Sequence, residues 1–275
     1  METKNKSEKL FEQYLDQNGF EGKWEYEPTF EEKSKKSDYL LSWKENKFFF
    51  EVKQLEKKKN DSNVLFDIYK SLRGKIDEAR KKFKEYKEFS CSLVVFNFGD
   101  SSAVLKPDII LEAMLGSLGI AADFDTEKGG MVAGSERNVF TNGGKMINHM
   151  RTQNTTISAI IVLEEFRDNT EIKKAMKNEI EKHGKPFEGL EQIDVIRKLH
   201  QIHHVESVPR LVVVENPFAQ IAFPEDLFMS PFDERWCWEK ESGKVRRIFV
   251  GSKLKEPEIL KNEVSSKLND GKAKC

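Results

Sequence analysis

The chain contains few cysteines and no apolar run long enough to cross a membrane. Its three cysteines, Cys91, Cys237 and Cys275, are too few and too scattered for a disulfide framework, and none belongs to a C-x-x-C pair. The N-terminus leads into no apolar signal segment, and no run approaches the ~20 apolar residues of a membrane helix. We therefore expect a cytoplasmic protein in a reducing compartment, with no membrane partner.

The sequence also lacks an excess of either charge. Its 46 Lys and Arg residues nearly balance 47 Asp and Glu residues, giving a formal net charge of −1. A global attraction to nucleic acid is thereby excluded, so any surface that binds nucleic acid must be a local patch. The irregular, glycine-containing segment 119–152 holds neither G-x-x-x-x-G-K-[ST] nor G-x-G-x-x-G. We interpret it as an insertion or flap.

Histidine offers no clear metal site. His200, His203 and His204 lie within about one predicted helical turn, but they lack a carboxylate or cysteine partner at a fixed spacing. Because isolated histidines of this kind are usually surface residues, we interpret them as such.

What the sequence does contain is a hairpin over residues 37–53, in which two apolar strands meet at a polar turn near Glu45. Because side chains alternate along a strand, Glu51 and Lys53 share one face. Antiparallel pairing about the turn brings Asp38 alongside Glu51, to within about one residue in register. Two carboxylates and an amine therefore converge at one end of a sheet.

These charges favour a metal site. Burying them without partners costs several kcal/mol, so they need a compensating ligand, and a divalent cation is the natural one. Hard oxygen ligands favour Mg²⁺, with Mn²⁺ as a substitute. The alternative is an ordinary ion pair between Glu51 and Lys53 at a sheet edge. Glu-x-Lys is frequent in this chain, but only Glu51 begins one within an apolar strand.

Asp38 followed by Glu51-Val52-Lys53 resembles the signature of the PD-(D/E)xK nuclease superfamily, with Ser-Asp in place of Pro-Asp. The resemblance implies a restriction-endonuclease-like fold. It also implies that Asp38, Glu51 and the Val52 carbonyl bind the metal, while Lys53 orients the attacking water and offsets charge in the transition state.

The first predicted helix supplies a further candidate. Ser7 is a suitable N-cap and Gly19 a suitable stop, and the resemblance implies that a glutamate of this helix reaches the metal or its water. Glu8 and Glu12 lie one turn apart on the same side of the helix, and each matches some family members. Both stay candidates, and either one is alternatively a solvated surface acid.

A second, long helix is predicted from about residue 64 to 88 by apolar residues at helical spacing. The resemblance places a basic residue of this helix at the site, and Arg73 and Lys75 are the candidates. Its polar face carries a basic stripe that is either a solvated face or a track for a phosphate backbone. The stripe consists of Lys70, Arg73, Arg80, Lys84 and Lys87.

The remaining segments predict an α/β fold. Near-continuous apolar runs at 91–98, 154–163 and 210–214 indicate strands buried on both faces, with helical patterns between them. We predict a restriction-endonuclease-like mixed β-sheet core flanked by helices, with a C-terminal α/β elaboration, in one domain of residues 1–275. Its parts are a nuclease core at about 7–100, the elaboration at about 101–252 and a polar tail at about 253–275.

The predicted function is Mg²⁺-dependent hydrolysis of phosphodiester bonds, with DNA as the expected substrate. The resemblance implies in-line attack that leaves a 5′-phosphate. The expected partners are nucleic acid and either a second copy of the chain or another protein. Two alternatives stay open, namely a catalytically inert member of the same fold that binds nucleic acid or protein, and an unrelated α/β protein with an accidental motif. The last requires that no single metal ion can reach both Asp38 and Glu51.

Overall fold

An eight-stranded mixed sheet runs through the structure. The computed structural model describes residues 4–30, 35–55, 67–97, 105–148, 151–168, 170–183, 194–195, 197–198, 207–239 and 242–254. The principal helices are α1 (Lys6–Gln17), α2 (Ile68–Phe83), α3 (Pro107–Leu115) and α4 (Thr170–His183). The strands are β1 (Trp24–Tyr26), β2 (Tyr39–Trp43), β3 (Asn46–Leu55), β4 (Ser90–Asn97), β5 (Gly116–Ala121), β6 (Phe124–Asp125), β7 (Gly130–Met131), β8 (Arg137–Gly143), β9 (Ile147–Asn148), β10 (Arg151–Thr152), β11 (Ile157–Arg167), β12 (Ser207–Glu215), β13 (Glu234–Glu239) and β14 (Lys244–Val250).

The order across the large sheet is β1-β2-β3-β4-β11-β12-β13-β14. Strands β3, β4 and β11 run parallel to one another at its centre, as do β12 and β13, and the other neighbours are antiparallel. The apolar runs predicted as buried strands form β4, β11 and β12, which confirms their assignment. The prediction of a mixed sheet flanked by helices is also confirmed.

The hairpin of β2 and β3 has the predicted register. Lys44 and Glu45 form its two-residue turn with φ angles of 47° and 66°, the left-handed conformation that matches the twist of tight hairpins. Tyr39 lies opposite Phe50, and this pairing places Asp38 beside Glu51.

Each face of the sheet is covered by a helix. On one face, α1 inserts Phe11 against Tyr39 and Phe50, with ring centroids 5.3 and 5.5 Å apart. On the other face, α2 packs Leu72 and Ile76 into the core that contains Phe49. Since Glu51 shares the face of Phe49, its carboxylate points toward α2 and away from α1.

The helix boundaries depend on local caps. The prediction that Ser7 caps α1 is wrong, because Asn5 accepts the Glu8 N–H at 3.0 Å while the Glu8 carboxylate accepts the Asn5 N–H at 2.7 Å. This reciprocal pair satisfies two free donors at once, and Ser7 lies buried in the first turn instead. Helix α2 is shorter than predicted, since Asp67 caps its start and it ends at Phe83.

The interpretation of 119–152 as irregular is wrong in its secondary structure. Strands β5 and β8 pair over this segment, and β6 with β7 and β9 with β10 form smaller ribbons. The turn glycines Gly129 and Gly143 have positive φ, so they connect or end strands and do not mark an unstructured loop. The predicted tail beyond 254 lies outside the described residues. In the described part of the chain, no helix is long and apolar enough to span a membrane.

We predict that Phe11→Ala lowers the free energy of unfolding by about 3–5 kcal/mol, because it leaves a cavity between α1 and the sheet. Urea unfolding measures the change. Ile120→Ala is the control, since 77% of Ile120 is exposed and its truncation should change stability by about 0.5 kcal/mol or less. Equal losses for the two variants would contradict the packing of α1 against the hairpin.

Candidate functional site

Two carboxylates and two ammonium groups meet on the α2 face of the β2 and β3 hairpin. Lys53 Nζ lies 2.5 Å from Glu51 Oε1 and 3.6 Å from Asp38 Oδ2. The structure therefore brings together the three side chains that the sequence predicted to converge. Because side chains alternate along β3, Glu51 and Lys53 lie on the same face of the sheet. The register of the hairpin places Asp38 beside Glu51.

The fourth group is Lys82, which sequence reasoning missed. Its Nζ lies 3.0 Å from Asp38 Oδ1 and 2.7 Å from Glu51 Oε2. Lys82 comes from the last turn of α2, three residues after the buried Ala79 and next to the buried Phe83. The signal in the sequence that could have identified Lys82 was a basic residue at the border of the apolar stripe of α2. The long stem of such a residue extends along the packed face and brings its charged end to the sheet.

The backbone around the carboxylates is fixed by hydrogen bonds. The Val52 N–H donates to Asp38 Oδ2 at 2.8 Å, which orients that carboxylate across the hairpin. The buried hydroxyl of Ser37 donates to the Phe50 carbonyl at 2.8 Å. Asp38 thus enters β2 in a defined position, and the peptide unit of Val52 lies at the site.

Burial shifts the pKa of the Glu51 carboxyl. Glu51 has no exposed surface, and desolvation, followed by the negative charge of Asp38, raises the pKa of its carboxyl to about 7. Lys53 and Lys82 act in the opposite direction. Burial by itself lowers the pKa of Lys82, but hydrogen bonding to Glu51 and the charges of Glu51 and Asp38 outweigh it and raise that pKa above its ordinary value.

The carboxylates of the two α1 glutamates bond to other groups. The Glu8 carboxylate caps its own helix, and the Glu12 carboxylate accepts the Tyr39 hydroxyl at 2.9 Å on the opposite face of the sheet. Burial, followed by the charges of Glu8, Glu27 and Asp38, raises the pKa of the Tyr26 hydroxyl to about 12.

The predicted basic residues of α2 take separate positions. Arg73 donates to the Glu112 carbonyl at 3.2 Å and joins α2 to α3, while Lys75 pairs with Glu78 at 3.0 Å. Neither contacts the carboxylates, so the contact predicted for one of them is made by Lys82 instead. The remaining predicted residues are Lys70 in the first turn of α2, Arg80 beside a cavity on another flank of the helix, and His200, His203 and His204 outside the described residues.

The carboxylates can hold one cation between them, because a single nitrogen, Lys82 Nζ, already contacts an oxygen of each. Mg²⁺ binds oxygen at about 2.0–2.1 Å, so the same oxygens would need to close in by about 1 Å or less. Among the described residues, no group of three or more His, Cys, Asp or Glu side chains could hold a metal ion. A metal here would therefore need backbone, water or substrate oxygens as well.

Comparisons of the chain with protein-family models, with curated proteins and with solved structures found no match. The groups available for chemistry at this site are the side chains of Asp38, Glu51, Lys53 and Lys82. Their arrangement joins hard anionic oxygens to cationic donors, which is suited to a cation and a phosphate together.

We predict that Glu51→Gln stabilises the metal-free protein at high pH. Between about pH 4.5 and 7 the folded chain holds a proton on Glu51 that the unfolded chain has released, so the stability of the native protein falls as pH rises through this range. A pKa difference of one corresponds to about 1.4 kcal/mol. Denaturant unfolding in EDTA should therefore show a gain of up to about 3 kcal/mol at pH 8.5 and less than about 1 kcal/mol at pH 5.

Glu45→Gln in the exposed hairpin turn is the matched control for this experiment, and its effect should be small at both pH values. A gain for Glu51→Gln that is the same at pH 5 and pH 8.5 would show that burial does not perturb this carboxylate.

Proposed function

We propose that the protein is a metal-dependent nuclease that hydrolyses phosphodiester bonds, with DNA as the expected substrate. The observation that carries this proposal is the convergence of Asp38, Glu51 and Lys53 on one sheet face, with one cationic nitrogen already contacting both carboxylates. An accidental Glu-x-Lys motif has no reason to be paired with a second carboxylate from the adjacent strand.

Asp38 and Glu51 are the residues that would hold Mg²⁺ or Mn²⁺, with the Val52 carbonyl as a further ligand. Carboxylate and carbonyl oxygens are the ligands that these hard ions prefer. When bound, the metal supplies polarisation of the phosphate and a lowered pKa for a coordinated water. The Val52 N–H keeps Asp38 oriented, so the carboxylate is positioned before a ligand arrives.

The two lysines supply positive charge beside the carboxylates. Lys53 would orient the attacking water and stabilise the negative charge that develops on the phosphate. Lys82 neutralises the carboxylates in the free protein and could turn to the phosphate once a metal ion replaces it. Two ammonium groups and two carboxylates leave the metal-free site formally neutral.

The fold proposed is restriction-endonuclease-like. Helix α1, the β2 and β3 hairpin, helix α2 and strand β4 follow one another in the order that this core requires. Glu51 lies on β3, and Asp38 directly precedes β2. The same proposal includes a nucleic-acid substrate. It also includes a second copy of the chain or another protein as a partner, as expected from the sequence.

The second candidate is a catalytically inert protein of the same fold that binds nucleic acid or protein. Lys82 is the observation that favours it, because two ammonium groups neutralise two carboxylates without a metal. The candidates differ in one property, since only the nuclease must exchange the contact of Lys82 for a divalent ion.

We predict that Asp38→Ala, Glu51→Ala and Lys53→Ala each reduce Mg²⁺-dependent cleavage at least ~10³-fold while the protein stays folded, because each removes a group from the reacting centre. The assay uses linear, circular and single-stranded DNA and RNA, with Mg²⁺, Mn²⁺ or EDTA. Circular dichroism checks the fold.

The matched controls for these variants are Glu45→Gln and Lys47→Gln, which alter an exposed Glu-x-Lys motif in the same hairpin. They should cut like the wild type. Cleavage that survives Glu51→Ala would end the assignment of this site. Binding without cleavage under every condition would favour the inert candidate.

We predict that Lys82→Met tightens Mn²⁺ binding about tenfold, or about 1.4 kcal/mol, because the competing ammonium group is removed while the packed stem is kept. Calorimetric titration at pH 8.5 measures the dissociation constant. Lys75→Met, two turns earlier on α2 and paired with Glu78, should leave it unchanged. Unchanged or weaker binding by the Lys82 variant would show that Lys82 does not occupy the metal position.

A further inference from the structure

A cavity of about 430 Å³ opens beside the C-terminal end of α2. The cavity is lined by Arg80, Lys84, Lys87 and the polar segment 153–156. No carboxylate from the described residues belongs to this lining. Positions two apart on a helix differ by about 200°, so Arg80 and Lys84 leave α2 on the flank away from Lys82. The cavity is therefore distinct from the carboxylate cluster.

Two of the lining residues, Arg80 and Thr156, each carry a buried polar atom without a partner. Arg80 Nε and Thr156 Oγ1 make no hydrogen bond to any group in the described part of the chain. A helix C-terminus attracts cations, which accounts for Lys84, but it leaves these two atoms unexplained. Because buried polar groups are almost always hydrogen-bonded, a ligand in the cavity could accept from both atoms after a small rotation of the two side chains.

The segment facing the basic residues is held in place. The Gln153 N–H donates to the Met146 carbonyl at 2.7 Å, and the Thr155 carbonyl accepts the Gln220 N–H at 2.7 Å. The Asn154 carbonyl accepts the Ile157 N–H at 3.1 Å. A preformed wall loses little entropy when a ligand binds, which favours binding over a loop that must first become ordered.

We propose that this cavity, the α2 basic pocket, binds a phosphate group of the nucleic-acid substrate at a distance from the bond that is cut. The inference rests on the proposed function in taking a nucleic-acid strand as the source of the phosphate. Arginine and lysine are the side chains that bind phosphate, with arginine adding directed hydrogen bonds and threonine a hydroxyl donor. The volume accommodates a phosphate together with its sugar.

The pocket lies within reach of a strand bound at the carboxylates. Glu51 is level with Leu93 of β4, which is level with Ile160 of β11, and Thr156 comes four residues before Ile160. A bulge in β11 puts Ile157 level with Cys91, so two strand spacings and about three residues of rise give a separation of about 14 Å. A few nucleotides span that length, so one strand can pass the end of α2 and contact both places.

The test measures binding in EDTA, so that it does not depend on cleavage. Fluorescence anisotropy of labelled single-stranded and duplex 20-mers compares wild type with the double variant Lys84→Gln and Lys87→Gln, and with Arg80→Gln. Each lost phosphate contact should reduce the slope of log affinity against log salt by about 0.7–0.9. The double variant should therefore lose about 1.4–1.8 of slope. The control is the double variant Lys9→Gln and Lys244→Gln, which removes two exposed charges elsewhere. It should retain more of the wild-type slope.

A second arm distinguishes the source of the phosphate. The melting temperature is measured with millimolar inorganic phosphate and with a millimolar nucleoside 5′-monophosphate. A ligand that binds in the pocket raises the melting temperature of the wild type but not that of Arg80→Gln. If oligonucleotides bind through the pocket and the melting temperature does not rise, the ligand is a phosphate of a nucleic-acid strand. If the melting temperature rises and oligonucleotides do not bind, the ligand is a free nucleotide and the strand proposal is overturned. Salt slopes equal to those of the charge-matched control, with no rise, overturn the pocket altogether. Cleavage lost in Glu51→Ala would still stand in that case.

Discussion

The carboxylate of Glu51 lies at the centre of the sheet with no exposed surface, and an ionised group in that place needs partners from separate parts of the chain. Lys53 comes from the same strand, Asp38 from the neighbouring strand and Lys82 from the helix above. The cluster can form only when β2, β3 and α2 are all in place. The register of the hairpin and the packing of α2 are thus conditions for any chemistry at this site.

The two faces of the sheet carry different side chains. The face under α1 is an aromatic core in which Phe11, Tyr39 and Phe50 make edge and tilted ring contacts, and it supports the hairpin from below. The face under α2 combines apolar packing with the charged cluster. Helix α2 itself separates that cluster from the basic pocket at Arg80, so one helix positions the Lys82 nitrogen at the carboxylates and Arg80 at the pocket.

Much of the site could be predicted because it depends on local rules. Alternation along β3 and a polar turn centred near Glu45 sufficed to place Asp38, Glu51 and Lys53 together, to within about one residue in register. Lys82 could not be selected in the same way, because many basic residues of α2 were equally compatible with its helical pattern. The ribbons between Gly116 and Gly143 escaped prediction since their glycines and short strands resemble a loop when pairing partners are unknown.

The sequence by itself determined the hairpin, its charged face and the buried central strands, since periodicity and turn chemistry act over a few residues. Tertiary structure decided which helical lysine meets the carboxylates, how Glu12 comes to meet Tyr39 and how Arg80 and Thr156 come to line one cavity. Those contacts join residues more than 25 positions apart. Their formation depends on how each helix rotates as it packs against the sheet, which local propensity does not specify.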